Sequence, residues 1–215
     1  MCPTRLTRYR ILDSPIGLLT LAGQGDRLTK LVMEDTAHPP LDRSRWIKDA
    51  AAFPDVVAQL AAYFAGERTG FEVALAPGGT SFQQRAWDTL REIPYGETRF
   101  YGEIARHIGQ PGAARAVGLA NARNPIPIIV PCHRVIGANG ALTGYAGGLE
   151  TKRALLDLER ARHPGERRRR PAPKVTTTGA GARSRSAVAV VVFSQVDAGY
   201  CFLAERYLIA LRRAT

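Results

Sequence analysis

The pair Cys132-His133 sets a soft nucleophile beside the side chain best suited to take a proton near neutral pH. A free thiol with a pKa of about 8.5 is only a few per cent ionised at pH 7, so attack on a carbon centre needs a base within reach. Adjacent Cys and His do not by themselves make a site, because most unpaired cysteines are buried and inert. The surrounding run is more specific: Asn124-Pro125-Ile126-Pro127-Ile128-Ile129-Val130-Pro131-Cys132-His133-Arg134-Val135-Ile136-Gly137. Pro125 and Pro127 force an extended path, and Ile128-Ile129-Val130 reads as a buried strand segment that delivers the thiol. Cys2 and Cys201 lie far away, with no CxxC or Cys/His ligand spacing. Neither a metal, a disulfide framework nor a cofactor is expected.

The elements that must hold this pair change character along the chain. Residues 9–34 alternate apolar stretches with turn clusters, a small antiparallel β-meander. A polar connection follows over residues 35–48. Pro54 then opens a helix with Val56, Val57, Leu60, Tyr63 and Phe64 on one face, ending near Gly66, and residues 71–75 read as a further strand. This α/β part is expected to span residues 1–78.

Helix signals dominate residues 79–163. Thr80 with Gln83 fits a capping box, and Phe82, Ala86, Trp87, Leu90 and Ile93 keep helical spacing. Two short helices follow, one over residues 101–108 that stops at Gly109 and one starting at Pro111, a pattern like a helix-turn-helix. After the Cys-His run, Asn139-Gly140 marks a turn, and a glycine-rich loop at residues 143–148 precedes a last helix. In that helix Ala154, Leu155, Leu158 and Ala161 are expected to point inward, and Glu150, Lys152, Arg153 and Arg160 outward.

The formal charge of +11 points to an anionic partner, although residues 164–215 carry ten Arg and Lys against three Asp and Glu, leaving +4 for residues 1–163. The basic low-complexity stretch that begins this extension is expected to be disordered, with a helix near residues 204–212; its role is unassigned. The basic start and the lack of a long apolar run predict a cytoplasmic protein with no membrane span.

The run from Asn124 to Gly137 resembles, nearly residue for residue, the active-site signature of the O6-alkylguanine-DNA alkyltransferases, most closely the bacterial, actinobacterial-type members. The resemblance covers about residues 6–162. It implies an RNase H-like α/β domain in front of a mostly α domain with a helix-turn-helix. It also implies a suicide repair protein: a monomer, able to cluster on DNA, that flips O6-alkylguanine, and O4-alkylthymine too, out of the duplex and takes the alkyl group onto Cys132.

By the same resemblance, His133 draws the thiol proton through a bridging water and Glu159 orients the other ring nitrogen. Asn124 is a hinge between the motif's second helix and the cysteine turn. Arg115 fills the gap left by the flipped base, and Tyr101 turns the phosphate and bonds guanine N3. Ala114, Ala116, Gly118 and Ala120, with Ala113, form a slim helix face for the DNA minor groove. Tyr145 packs beside the base, the Ala146 N–H meets O6, and the Cys132 and Val135 carbonyls accept from the exocyclic amine. Other members carry serine at the Ala146 position, and Lys152 matches a lysine at the pocket rim. Two further readings stand beside this one: a DNA-binding module that flags lesions without reacting, which would lack the cysteine, and a Cys-His-Glu hydrolase, which would turn over repeatedly.

Overall fold

The computed structural model describes residues 6–35 and 42–162; the expected disorder and terminal helix of residues 164–215 lie outside them. Apolar stretches split by turns form β1 (Thr7–Leu12), β2 (Leu19–Gln24) and β3 (Arg27–Met33). They pair antiparallel, with Arg10 opposite Leu21 and Leu21 opposite Leu31. At the β2–β3 bulge the Arg27 carbonyl comes so near that a Cβ on Gly23 would lie 2.0 Å from it, so only glycine fits.

The connection at residues 35–48 contains a strand that the sequence did not reveal. Residues Trp46–Lys48 form β4, which adds parallel to β1 and gives the order β3-β2-β1-β4. The sheet is therefore mixed rather than antiparallel. The strand expected at residues 71–75 shrinks to one bridge, Leu75 to Leu28, held by bonds from Leu28 N–H to the Ala74 carbonyl and from Ala76 N–H to the Leu28 carbonyl. Helix α1 (Pro54–Ala65) starts at its proline and stops at Gly66. Its buried Val56, Leu60 and Tyr63 recur at four and three residues and join Leu19, Leu21, Leu28 and Leu31 in the core.

The second half begins with α2 (Ser81–Arg91), capped as its sequence predicts: Thr80 Oγ1 accepts from Gln83 N–H and Gln83 Oε1 accepts from Thr80 N–H. Then come β5 (Arg99–Phe100), α3 (Tyr101–His107), α4 (Ala114–Ala122), a single 3-10 turn at Cys132–Arg134, β6 (Val135–Ile136) and α5 (Gly148–Arg162). Helix α4 starts at Ala114 and not at Pro111, because the Ala113 N–H closes a turn onto the Gln110 carbonyl. The stretch Ile128-Ile129-Val130 is buried but is not a strand: Val130 N–H bonds back to the Ile126 carbonyl, and Ile128 takes φ 75°. A β-branched residue in the left-handed region stores about 1–3 kcal/mol, which the surrounding packing must hold.

Two short ties set the distances around the cysteine. Strands β5 and β6 pair parallel, Arg99 with Val135 and Phe100 with Ile136, so the start of α3 is fixed to the residues just after the Cys-His turn. The Leu31 N–H of β3 donates to the Pro125 carbonyl at 2.8 Å, which fastens the cysteine segment to the sheet. Helix α4 is fixed from the other side by buried Trp87, whose Nε1–H donates to the Ala120 carbonyl at 2.9 Å. Trp87→Phe keeps an aromatic ring but loses that bond and some volume, so stability is expected to fall by about 1–3 kcal/mol. A lower urea midpoint at unchanged m-value checks this.

Candidate active site

Cys132 opens the 3-10 turn, 3% exposed. Burial pushes its thiol up to about 11, with the Asn124 side chain and the Lys152 charge offsetting part of the rise. At that value only about one thiol in ten thousand is ionised at pH 7, so deprotonation must accompany any attack.

His133 is wholly buried, and burial holds its imidazole below the usual 6.5 despite the carboxylate beside it. Its Nε2 lies 2.9 Å from Glu159 Oε1, whereas Nδ1 is enclosed and has no protein partner among the described residues. A neutral ring that donates from Nε2 presents Nδ1 as an acceptor.

Glu159 is as buried as His133. Burial alone would raise its carboxyl, but the bonds from His133 and Arg134 outweigh that and hold it far below the usual range. Arg134 donates from Nε to Oε2 at 2.9 Å and from Nη2 to Oε1 at 2.8 Å, and its Nη1 reaches the Ile93 carbonyl. The Gly96 N–H adds a bond to Oε2 at 3.0 Å, and the Tyr63 hydroxyl of α1 one to Oε1 at 2.7 Å. The Tyr95 ring lies 5.7 Å from the Arg134 guanidinium carbon.

Asn124 joins the end of α4 to the approach of the cysteine. Its Nδ2 donates to the Val130 carbonyl at 2.8 Å and its Oδ1 accepts from Ile126 N–H at 3.0 Å. Asn121, which the sequence did not single out, sits one turn back and donates to the Cys132 carbonyl at 3.3 Å.

Lys152 corrects the expectation of an outward side chain. It is fully buried, and Nζ donates to the Val135 carbonyl at 2.6 Å and the Thr143 carbonyl at 2.8 Å, tying α5 and the start of the 143–148 loop to β6. Burial lowers it from 10.5 to about 8, opposed by Cys132. The two carbonyls named for the base are thus already in use: Val135 by Lys152, and Cys132 by Asn121 and the Val135 N–H. Each carbonyl oxygen has two lone pairs, so Val135 retains capacity for one more donor. Within α5, Lys152, Leu155, Leu156 and Glu159 form the buried stripe, and Ala161 is exposed. Their spacing of three, one and three was the available signal for both charges.

The loop at residues 143–148 packs on the sheet, where a Cβ on Gly147 would lie 2.3 Å from Met33 Sδ. Tyr145 and Ala146 are half-buried, and the Tyr145 hydroxyl is enclosed without a partner among the described residues. Tyr101 begins α3, half-buried, with its hydroxyl 3.4 Å from Thr143 Oγ1.

On α4, Arg115 and Ala116 are exposed, and Ala114 and Gly118 are half-buried. Ala120 does not belong to that surface. It is 2% exposed on the face that meets Trp87, so its Cβ belongs to the core, and Leu119 is the exposed neighbour. Among the described residues no cluster of three or more His, Cys, Asp or Glu is arranged to hold a metal ion, and no helix is long and apolar enough to cross a membrane.

A sheet domain, a helical domain and a buried thiol next to a histidine that a carboxylate orients define a class of two-domain proteins with a potential cysteine nucleophile. Comparison with known proteins makes this specific. Residues 7–77 match the family model described as 6-O-methylguanine DNA methyltransferase, ribonuclease-like domain, and residues 81–161 match its DNA binding domain. The methylated-DNA--protein-cysteine methyltransferase of Mycobacterium tuberculosis is 62% identical over 161 residues, 75% of this chain and 97% of that protein. The enzyme of the same name from Methanosarcina acetivorans is 56% identical over 151 residues, 70% of this chain and 97% of that protein. The M. tuberculosis protein crystallised in complex with DNA superposes with a TM-score of 0.69 at 62% identity, over 74% of this chain and 96% of that one. The chain belongs to the 6-O-methylguanine DNA methyltransferase family.

The folded state holds His133 and Glu159 less protonated than the unfolded chain does, since both pKa values are lowered from 6.5 and 4.5. The stability these two groups contribute is therefore fully present above about pH 6.5 and falls with pH, first as the unfolded histidine takes a proton and more steeply below 4.5. Thermal midpoints between about pH 2.5 and 7.5 read this slope. Glu159→Gln should remove the lower step while costing about 3–5 kcal/mol at neutral pH, because it leaves Arg134 an unpaired buried cation.

Proposed function

We propose that this protein repairs double-stranded DNA by moving the alkyl group of O6-alkylguanine onto Cys132, irreversibly and once per molecule. The observation that carries this reading is the buried His133, committed to Glu159 through Nε2 and free at Nδ1, directly after a buried thiol. His133 Nδ1 takes the thiol proton through a water as the Cys132 sulfur attacks the alkyl carbon. The S–C bond forms, the C–O6 bond breaks, and guanine leaves with the electron pair and is then protonated. Tyr101, at the start of α3, stabilises that departure by donating toward guanine N3 and steers the phosphate. Its link to the cysteine turn through the β5–β6 pairing supports the role.

The O6 of a stacked guanine faces the major groove, out of reach of a buried thiol on a protein seated in the minor groove, so the base must leave the helix, at a few kcal/mol. Arg115, exposed early in α4, fills the gap. Ala114, Ala116 and Gly118 let α4 approach the minor groove closely, as the second helix of a helix-turn-helix formed with α3. Tyr145, the Ala146 N–H and the Val135 carbonyl line the pocket, and Asn124 keeps α4 and the cysteine turn in register. O4-alkylthymine, with its alkyl carbon on an equivalent oxygen, is a second substrate. The protein works as a monomer in the cytoplasm, on the nucleoid, and can cluster on DNA. Residues 1–78 form the RNase H-like domain, 79–163 the DNA-binding domain and 164–215 an extension of unassigned role.

Incubation with an O6-methylguanine duplex should add one methyl group to the peptide that contains Cys132, and titration should end at one equivalent. A lesion binder gains no mass and a hydrolase keeps turning over, so either result sinks the reading. Cys132→Ala is expected to bind the lesion and transfer nothing. Arg115→Ala should weaken lesion binding and slow transfer by about tenfold, since the extruded state loses its plug; gel-shift and quenched-flow assays measure the two effects.

A further inference from the structure

We propose that Tyr63, on helix α1 of the sheet domain, is a positioning residue for alkyl transfer: its hydroxyl, bonded to Glu159 Oε1, sets how tightly that carboxylate holds a proton on His133. The inference rests on the reaction proposed above and assigns part of its control to the other domain. Tyr63 is fully buried and bonds Glu159 at 2.7 Å across 96 positions of sequence. Packing alone does not require that hydroxyl. The ring stands among Phe64, Phe71 and Tyr95, with centroids 5.2–6.0 Å away, and two of these three neighbours are phenylalanine.

One carboxylate oxygen carries most of the donors. Oε1 accepts from Tyr63, His133 and Arg134, whereas Oε2 accepts from Arg134 and Gly96. Every donor draws charge from the carboxylate and weakens its attraction for the others. Removing the Tyr63 hydroxyl concentrates charge on Oε1 and stabilises a protonated His133. Burial and Glu159 hold the Tyr63 phenol well above 10, so it stays a neutral donor throughout the working range. The remaining groups that face the pair do not change with this bond: Arg134 and Cys132 on the turn, Lys152 on α5, Tyr145 on the loop, and Tyr95 beneath Arg134. His133 must be neutral to accept the thiol proton, so the acid limb of the transfer rate reports the strength of this bond.

Tyr63→Phe retains the ring and deletes the bond; Phe71→Leu disturbs the same packing without touching Glu159. In single-turnover transfer between about pH 5 and 8.5, Tyr63→Phe should move the acid limb up by about half a pH unit or more. A half-unit shift slows transfer by at most about threefold, on the acid side of the limb, and changes it less than twofold at pH 8.5. Phe71→Leu is expected to lower the melting temperature and leave the limb in place. A Tyr63→Phe limb that coincides with the parent's, or a rate loss equal at every pH, overturns the proposal. A parent protein that never gains alkyl mass refutes the reaction instead. NMR titration of the His133 ring, which needs no lesion, then decides the inference: an upward shift in Tyr63→Phe upholds it and an unchanged titration overturns it.

Discussion

A carboxylate that has lost all contact with water must be satisfied by protein donors, and the Glu159 side chain has five of them. They come from α1, from the loop ahead of β5, and from two consecutive residues of the cysteine turn. Half of this arrangement could not exist without the rest. Arg134 neutralises a charge that would otherwise be expelled, and with that charge kept in place His133 has one ring nitrogen spoken for and one free. The position of α5, the angle of the 3-10 turn and the docking of α1 are all conditions for those bonds. The Leu31–Pro125 backbone bond and the Gly147–Met33 approach fasten the two domains together from other directions.

The parts legible from sequence were those with long periods or strong punctuation. Helix α1 announces itself by Pro54, Gly66 and a clean apolar face, and α2 by a reciprocal cap. Strands β4, β5 and β6 are two or three residues long, too short for alternation to register, and they exist because distant chain segments meet. The run Ile128-Ile129-Val130 misleads for a different reason. Its composition favours a strand, but the turn demanded by the neighbouring prolines and by Asn124 overrides local preference and puts Ile128 in a strained conformation.

At the site, Cys132, His133 and Asn124 stand out through a contiguous motif, and Glu159 only through the family likeness. Charged helix residues usually belong to the surface, but the spacing of Lys152 to Leu155, Leu156 and Glu159 puts it in the buried stripe. Arg134 could have been suspected as a lone charge inside an apolar run. Tyr63 and Asn121 could not, since a tyrosine on an apolar helix face and an asparagine in a helix of small residues have ordinary explanations until the partner across the fold is seen.

The enclosure of the His133–Glu159–Arg134 group has a consequence for the ionic atmosphere around the molecule. Mobile ions approach only the outer faces, where Arg115 stands, and find no route to a carboxylate with no exposed surface. Two electrostatic systems thus coexist within one small protein. The outer one is tuned by dissolved salt; the inner one answers to pH but is screened far less, so its field changes little with ionic strength.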